Sequence, residues 1–262
     1  MSLLELEQVD KIFGGLHAVR GVSFRVEPRT IFGLIGPNGA GKTTLFNVIT
    51  GVYTPEHGRV VFDGRDIAGL KPALIAARGV ARTFQNIRIF RAMTVAENVM
   101  VAGHHLHNAS ILDAMLRTRR YAEDERALRK RADELLEIMG LAALSGEVAG
   151  SLPYGSQRRL EIARGLMLSP KLLLLDEPAA GMNSQEAQTL NDQIRFLRDQ
   201  LALTVILVEH NMAVVMNVCE TIHVVDHGET IAQGTPSEIK ADPKVLAAYL
   251  GEERGPGSEA SA

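Results

Sequence analysis

Gly36-Pro-Asn-Gly-Ala-Gly-Lys42-Thr43 is the stretch that decides the fold. It satisfies the spacing G-x-x-x-x-G-K-[ST], in which glycines let successive backbone N–H groups point into one concavity and the following helix N-terminus adds its positive dipole. Gly36, Pro37, Asn38, Gly39, Ala40 and Gly41 form the loop, and Lys42, Thr43 and Thr44 open the helix behind it. In this geometry Lys42 reaches the β- and γ-phosphates of a nucleotide, and the Thr43 hydroxyl ligates Mg²⁺. A chance match in a chain of this composition is expected on the order of 0.01 times or less. The context agrees, because a strand over 30–35 is expected to precede the loop and a helix over 42–50 to follow it.

Further along stands Leu172-Leu-Leu-Leu-Asp176-Glu177, a buried strand ending in two carboxylates. Asp176 is where a phosphate-bound Mg²⁺ needs a carboxylate, and Glu177 is placed to orient or deprotonate the attacking water. Alone this pattern is weak, since many strands end in acidic turns. Paired with the loop at 36–43 it points to phosphoryl transfer, a reaction that needs mostly positioning and charge neutralisation.

The 262 residues suffice for one large domain or two small ones with a real core. Lys+Arg 28 against Asp+Glu 31 gives a net charge of -3, which argues against a general nucleic-acid binder. One cysteine, Cys219, excludes an internal disulfide framework and Cys-rich metal sites, and a reducing compartment fits best. No export signal is visible, and the longest aliphatic run, 172–175, is far short of the ~20 residues that span a bilayer.

Residues 3–35 carry short Val-, Phe- and Ile-rich segments broken by Gly14-Gly15, Gly21 and Pro28, which predicts strands and turns. Residues 58–67 predict a hairpin turning at Asp63-Gly64. Thr94-Val-Ala-Glu97 is a capping box that opens a helix-rich stretch to about residue 150. Within it, residues 117–134 mix seven basic with five acidic side chains and read as a solvated helix face. Helices are expected after Gly155, from Asn183-Ser-Gln-Glu186 and from Thr235-Pro-Ser-Glu238, with a buried strand over 203–208. His104, His105 and His107 read as a solvated loop, and Cys219 as buried filler. Strands alternating with helices around a helical insert imply an α/β fold, a mainly parallel sheet with a small antiparallel sheet beside it.

Ser151-Leu-Pro-Tyr-Gly155-Ser-Gln157, ahead of a helix, resembles the signature motif of the ABC-type ATPases, usually Leu-Ser-Gly-Gly-Gln. Leu152 and Gly155 match, Pro153, Tyr154 and Ser156 depart, and Gln157 follows. The missing serine removes one γ-phosphate contact, while the Gly155 N–H and the helix dipole remain. Other landmarks follow in the family's order: Gln85 resembles the glutamine loop that touches Mg²⁺, His210 the switch histidine at the γ-phosphate, and Phe13 the aromatic that stacks on adenine. Asn183 stands where the family usually has Asp after the catalytic Glu. Thr83-Phe-Gln-Asn-Ile-Arg-Ile-Phe90, Met93-Thr-Val-Ala-Glu-Asn98, the Leu-Pro-Tyr-Gly at 152–155 and Pro178-Ala-Ala-Gly-Met-Asn183 resemble more closely the LivG-type ATPases of branched-chain amino acid importers.

The resemblance implies a P-loop NTPase fold, an ABC ATPase domain over 1–251 with a RecA-like core and a helical subdomain at about 94–165 within it; residues 252–262, without apolar anchors, read as a disordered tail. It implies an ATPase with ATP and Mg²⁺ as ligands: Glu177 and His210 catalytic, Thr43, Gln85 and Asp176 on the metal, and 152–157 facing a partner's ATP. The implied partners are a second ATPase chain, either a nonidentical LivF-type chain or a second copy, and two membrane permeases. A periplasmic solute-binding protein acts indirectly, and nucleic acid is not expected. The implied place is the cytoplasmic face of a bacterial inner membrane, with Ile87, Ile89, Phe90 and Met93 as an exposed dock for a permease helix; the alternative reading of that apolar cluster is core. Two other readings stand beside this one: an ABC-type ATPase of DNA repair or the ribosome, and an importer ATPase for urea or other amino acids. A small-molecule kinase would leave the signature and His210 unexplained.

Overall fold

Strict alternation along the buried strands sets the architecture. A computed structural model of the chain describes residues 2–103, 113, 115, 116 and 118–252. The histidines at 104, 105 and 107 and most of the expected tail lie outside the described residues. Leu172 and Leu174 of strand β7 (Leu172–Asp176) pack into one apolar core, while Leu173 and Leu175 pack into another. Strand β8 (Thr204–Val208) repeats this, with Ile206 and Val208 on the first side and Val205 and Leu207 on the second. A strand apolar on both faces needs a cover on each, which is the condition of a parallel sheet within an α/β fold.

The six-stranded sheet runs β10-β9-β3-β8-β7-β6, with β3 (Ile31–Ile35), β6 (Val80–Arg82) and β9 (Thr221–Asp226) parallel to β7 and β8. Only β10 (Glu229–Gly234) is antiparallel. One face is covered by a four-stranded antiparallel sheet, order β2-β1-β4-β5, and by helix α1 (Lys42–Ile49). Its strands are β1 (Leu4–Phe13), β2 (Leu16–Val26), β4 (His57–Phe62) and β5 (Arg65–Asp66), the last two joined by Asp63-Gly64, both with positive φ as a tight hairpin turn requires.

Helices cover the other face. Helix α2 (Pro72–Ala77) precedes β6 and is the exception, packing Ile75 into the first core; α3 (Val95–Ala102) starts at the expected capping box, Thr94 with Glu97. Helix α4 (Arg119–Ile138) buries Leu128, Ala132, Leu135 and Leu136 and turns its charged residues outward. Helices α5 (Tyr154–Leu166), α6 (Ser184–Leu201) and α7 (Met212–Val218) complete that core, and α8 (Pro236–Ala241) and α9 (Pro243–Glu252) close the described chain. Cys219, just after α7, is buried, and burial pushes its thiol up to about 12, so it is inert packing. No helix among the described residues is long and apolar enough to cross a membrane.

Candidate functional site

The phosphate loop is shaped by positions where only glycine fits. Gly36 has φ 152°, and a Cβ there would sit 1.9 Å from the Val225 carbonyl oxygen. Gly41 has φ 102°, and its Cβ would lie 2.6 Å from the Ala18 carbonyl oxygen. Gly41 is also the N-cap of α1, so no side chain caps the first N–H groups and no acidic residue occupies the first turn. The end is therefore open to an anion. Lys42 is 8% exposed and its Nζ donates to the carbonyls of Gly36 (2.6 Å) and Pro37 (2.8 Å), so the ammonium lies along the loop. Leu45, Phe46, Val48 and Ile49 anchor α1 in the core and fix the loop behind it.

At the end of β7, Asp176 is buried and its Oδ2 accepts from Arg82 Nη2 at 2.8 Å. Arg82 donates its other nitrogen to Asn47 Oδ1 at 2.6 Å and lies 5.4 Å from the Phe46 ring and 5.3 Å from the Phe84 ring. Glu177 then takes φ 46°, a left-handed conformation costly for a side chain with a Cβ. Its N–H donates to the Val208 carbonyl, which ties it to the end of β8. Its Oε2 accepts from Gln85 Nε2 at 3.1 Å, and its Oε1 lies 3.8 Å from His210 Nδ1. Gln85, Glu177 and His210, spread over 126 positions of sequence, thus meet at one carboxylate.

These residues border a cavity of about 430 Å³ lined by Phe13, Lys42, Thr43, Thr44, Gln85 and Glu177, with residues 38–41 as its floor. Asp176 and His210 are not in that lining. Phe13 comes from β1 and packs edge-on against Tyr53 at 5.0 Å, with Lys11 Nζ 5.1 Å from its ring. Asn38, Gly39, Ala40 and Gly41 face the same space as Thr43. The loop suits a polyphosphate, and the Thr43 hydroxyl, Gln85 amide and Asp176 carboxylate offer hard oxygens that suit Mg²⁺. Among the described residues no group of three His, Cys, Asp or Glu could hold a metal unaided. Few protein ligands, with the rest from phosphate and water, is the usual manner of Mg²⁺.

Residues 152–157 lie elsewhere. Leu152 is buried, Pro153 caps α5 without a side-chain bond, and the Tyr154 ring rests against Gly181. Gly155 lies where a Cβ would come within 3.1 Å of Glu186 Oε1. Ser156 Oγ accepts from Arg159, and Gln157 Nε2 donates to the Leu152 carbonyl. Gly155, Arg159, Met182, Asn183 and Glu186 line a separate hollow of about 250 Å³. The segment is therefore not part of the same chain's phosphate cavity.

One expectation is corrected: of Ile87, Ile89, Phe90 and Met93 only Phe90 is exposed, and Ile89 packs on the helical core. Arg164 draws the loop inward, donating to the Arg88 carbonyl and lying 5.0 Å from the Phe90 ring. Sequence reasoning also assigned no role to Arg82, Arg158, Glu161 or Glu209. Glu209 is fully buried, accepts from the Ala179 N–H at 2.8 Å, and is pushed up by burial. A charged residue directly after an apolar strand, as at 209, is the signal that could have found one of them.

Residues 19–180 match the ABC transporter family, and residues 229–254 match the family described as branched-chain amino acid ATP-binding cassette transporter. The chain belongs to the ABC transporter family, and its fold is that of the ATP-binding cassette. Within that class it is 45% identical, over 95% of its length and 98% of theirs, to the high-affinity branched-chain amino acid transport ATP-binding protein BraF of Pseudomonas aeruginosa. It is 43% identical, with the same coverage, to the corresponding protein LivG of Escherichia coli. A crystal structure of an ATP-binding cassette of an ABC transporter in its ADP conformation superposes with TM-score 0.84 at 34% identity, covering 96% of this chain and 99% of that one.

Proposed function

We propose that this chain is the ATP-hydrolysing subunit of a membrane importer for branched-chain amino acids. The observation that carries the reading is the convergence of Gln85 and His210 on Glu177 beside the phosphate cavity. ATP lies with its phosphates in the loop at 36–41, its γ-phosphate neutralised by Lys42 and its adenine against Phe13. Thr43, Gln85 and Asp176 would hold Mg²⁺, which when bound would screen the negative charge of the phosphates. Glu177 orients a water in line with the γ-phosphorus and accepts its proton as the water oxygen bonds to phosphorus. The bond to the β-phosphate oxygen breaks, leaving ADP and phosphate, and His210 steadies the γ-phosphate oxygens.

Residues 152–157 serve the ATP of a second cassette, a nonidentical chain or another copy, through the Gly155 N–H and the start of α5. ATP then joins two cassettes face to face, and hydrolysis lets them part. The chain sits at the cytoplasmic face of the membrane, where two membrane-spanning permease subunits receive that motion through the loop around Gln85 and Phe90, and a solute-binding protein delivers cargo to them from the other side.

Uptake of labelled leucine, isoleucine and valine, beside urea and polar amino acids, tests this in cells lacking the gene. Wild type is expected to restore branched-chain uptake and Glu177→Gln to fail. Restoration of a different solute would overturn the substrate, and no response from any solute, with ATPase activity intact, would overturn the transport role.

A further inference from the structure

Helix α5 carries a fully buried arginine whose bonds go to the catalytic loops. Arg158 is 0% exposed and donates four hydrogen bonds. Nη1 reaches the Phe84 carbonyl at 2.5 Å and Glu161 Oε2 at 2.8 Å; Nη2 reaches the Gln85 carbonyl at 2.9 Å and the Glu177 carbonyl at 3.2 Å. Glu161, one turn on, is 5% exposed, and its Oε1 accepts the N–H groups of Phe84 and Arg88, each at 3.3 Å. One ion pair therefore holds both edges of the glutamine loop and the backbone of Glu177.

A buried ion pair is a poor device for stability, because desolvating two charges offsets most of their attraction. What it gives here is placement. Glu177 sits in a left-handed conformation, and its peptide groups are pinned on both sides, the N–H by Val208 and the carbonyl by Arg158. The same guanidinium fixes the carbonyl of Gln85, whose amide donates to the Glu177 carboxylate. Only a planar fork can serve three carbonyls and a carboxylate at once; an ammonium on a flexible stem cannot.

We propose that Arg158, oriented by Glu161, is a positioning residue that sets the Glu177 carboxylate and the Gln85 amide for hydrolysis, linking the start of α5 to the catalytic loop of the same chain. The proposal rests on Glu177 acting as the base; turnover of Glu177→Gln against wild type, measured in the same preparations, separates failure of that reading from failure of this one.

The test is steady-state ATP hydrolysis by the purified full chain with Arg158→Lys, Arg158→Met and Glu161→Gln, beside Mg²⁺-dependent binding of a fluorescent ATP analogue. A misplacement of about 1 Å costs up to ~100-fold in rate, so kcat is expected to fall about tenfold or more in Arg158→Lys, with KM and analogue affinity within about threefold. In a Glu177→Gln background, Arg158→Lys should cost less than about twofold further, because residues acting as a unit are not additive. A folded Arg158→Lys with kcat within twofold of wild type, a rise confined to KM, or an equal loss in the Glu177→Gln background would each overturn it. If Arg158→Met does not fold, Arg158→Lys and Glu161→Gln still decide the matter.

Discussion

The central sheet buries ionisable groups at the carboxyl ends of β6, β7 and β8, and again in the middle of β9, where His223 lies between the two cores' strands. At β9 the imidazole is fully satisfied: its nitrogens pair with Gln233 Oε1 and Thr230 Oγ1, and its ring lies against Phe24 and Phe32. At the strand ends satisfaction is incomplete, for Arg82 Nε and Glu209 Oε2 are buried without a hydrogen-bond partner, as is Nε of Arg158 on the adjoining helix α5, and Glu177 is left-handed. Buried polar atoms without a partner also occur away from the site, at Asn191 and Gln193, and other non-glycine residues have positive φ. What distinguishes the strand ends is that unmet groups and a left-handed residue stand side by side next to the phosphate cavity, whereas His223 shows neither. The contrast separates polar residues that stabilise the sheet from polar residues that the sheet tolerates.

The sharpest way to break that contrast is Glu177→Gln, which keeps size and hydrogen bonding but removes the base. Turnover is expected to fall by about 100-fold or more while ATP binding stays within about threefold. Near-normal kcat in a filter-based phosphate-release assay would remove Glu177 from its role. Next comes pH. Burial pushes the His223 imidazole down to about 4, from an ordinary 6.5. The folded state thus disfavours the proton that the unfolded state accepts. Its contribution is complete above pH 6.5 and is lost as pH falls toward 4, by about 3 kcal/mol at most. Urea unfolding at pH 7.5, 6 and 4.5 should show a steeper acid loss for wild type than for His223→Gln.

Glu209 is the mirror case. Burial raises its carboxyl, so its unfavourable term enters as pH rises past 4.5, the ordinary value, and persists above. Glu209→Gln keeps an acceptor for Ala179 and removes the buried charge, and is expected to raise stability at pH 8 by about 1 kcal/mol in the same urea titration. Smallest is Arg119→Ala, which breaks an exposed pair with Glu123 on α4; melting should register no more than about 0.5 kcal/mol.

Local rules made much of the fold legible. The capping boxes at Thr94, Asn183 and Thr235 form as their spacing predicts, and Asp63-Gly64 turns its hairpin. Nothing in 80–82 marks a strand, because β6 is three residues whose bonds are made to β7, more than 90 positions away. The phosphate loop could be read from its own spacing. The meeting of Gln85 and His210 at Glu177 could not, since it depends on how the loop after β6 and the ends of β7 and β8 come together; the family resemblance, and no periodicity, pointed to it. Arg158 and Glu161 read as an ordinary helix start because what buries them is a loop some 70 residues earlier.

The alternation along β7 has a consequence for how such a chain can evolve. Each successive leucine belongs to a different core, so the length of the strand fixes which core each one enters. Deleting or inserting one residue between 172 and 176 would exchange the two cores' leucines and turn the Asp176 carboxylate to the opposite side of the sheet. The strand works as a ruler whose length sets which side of the sheet the Asp176 carboxylate faces.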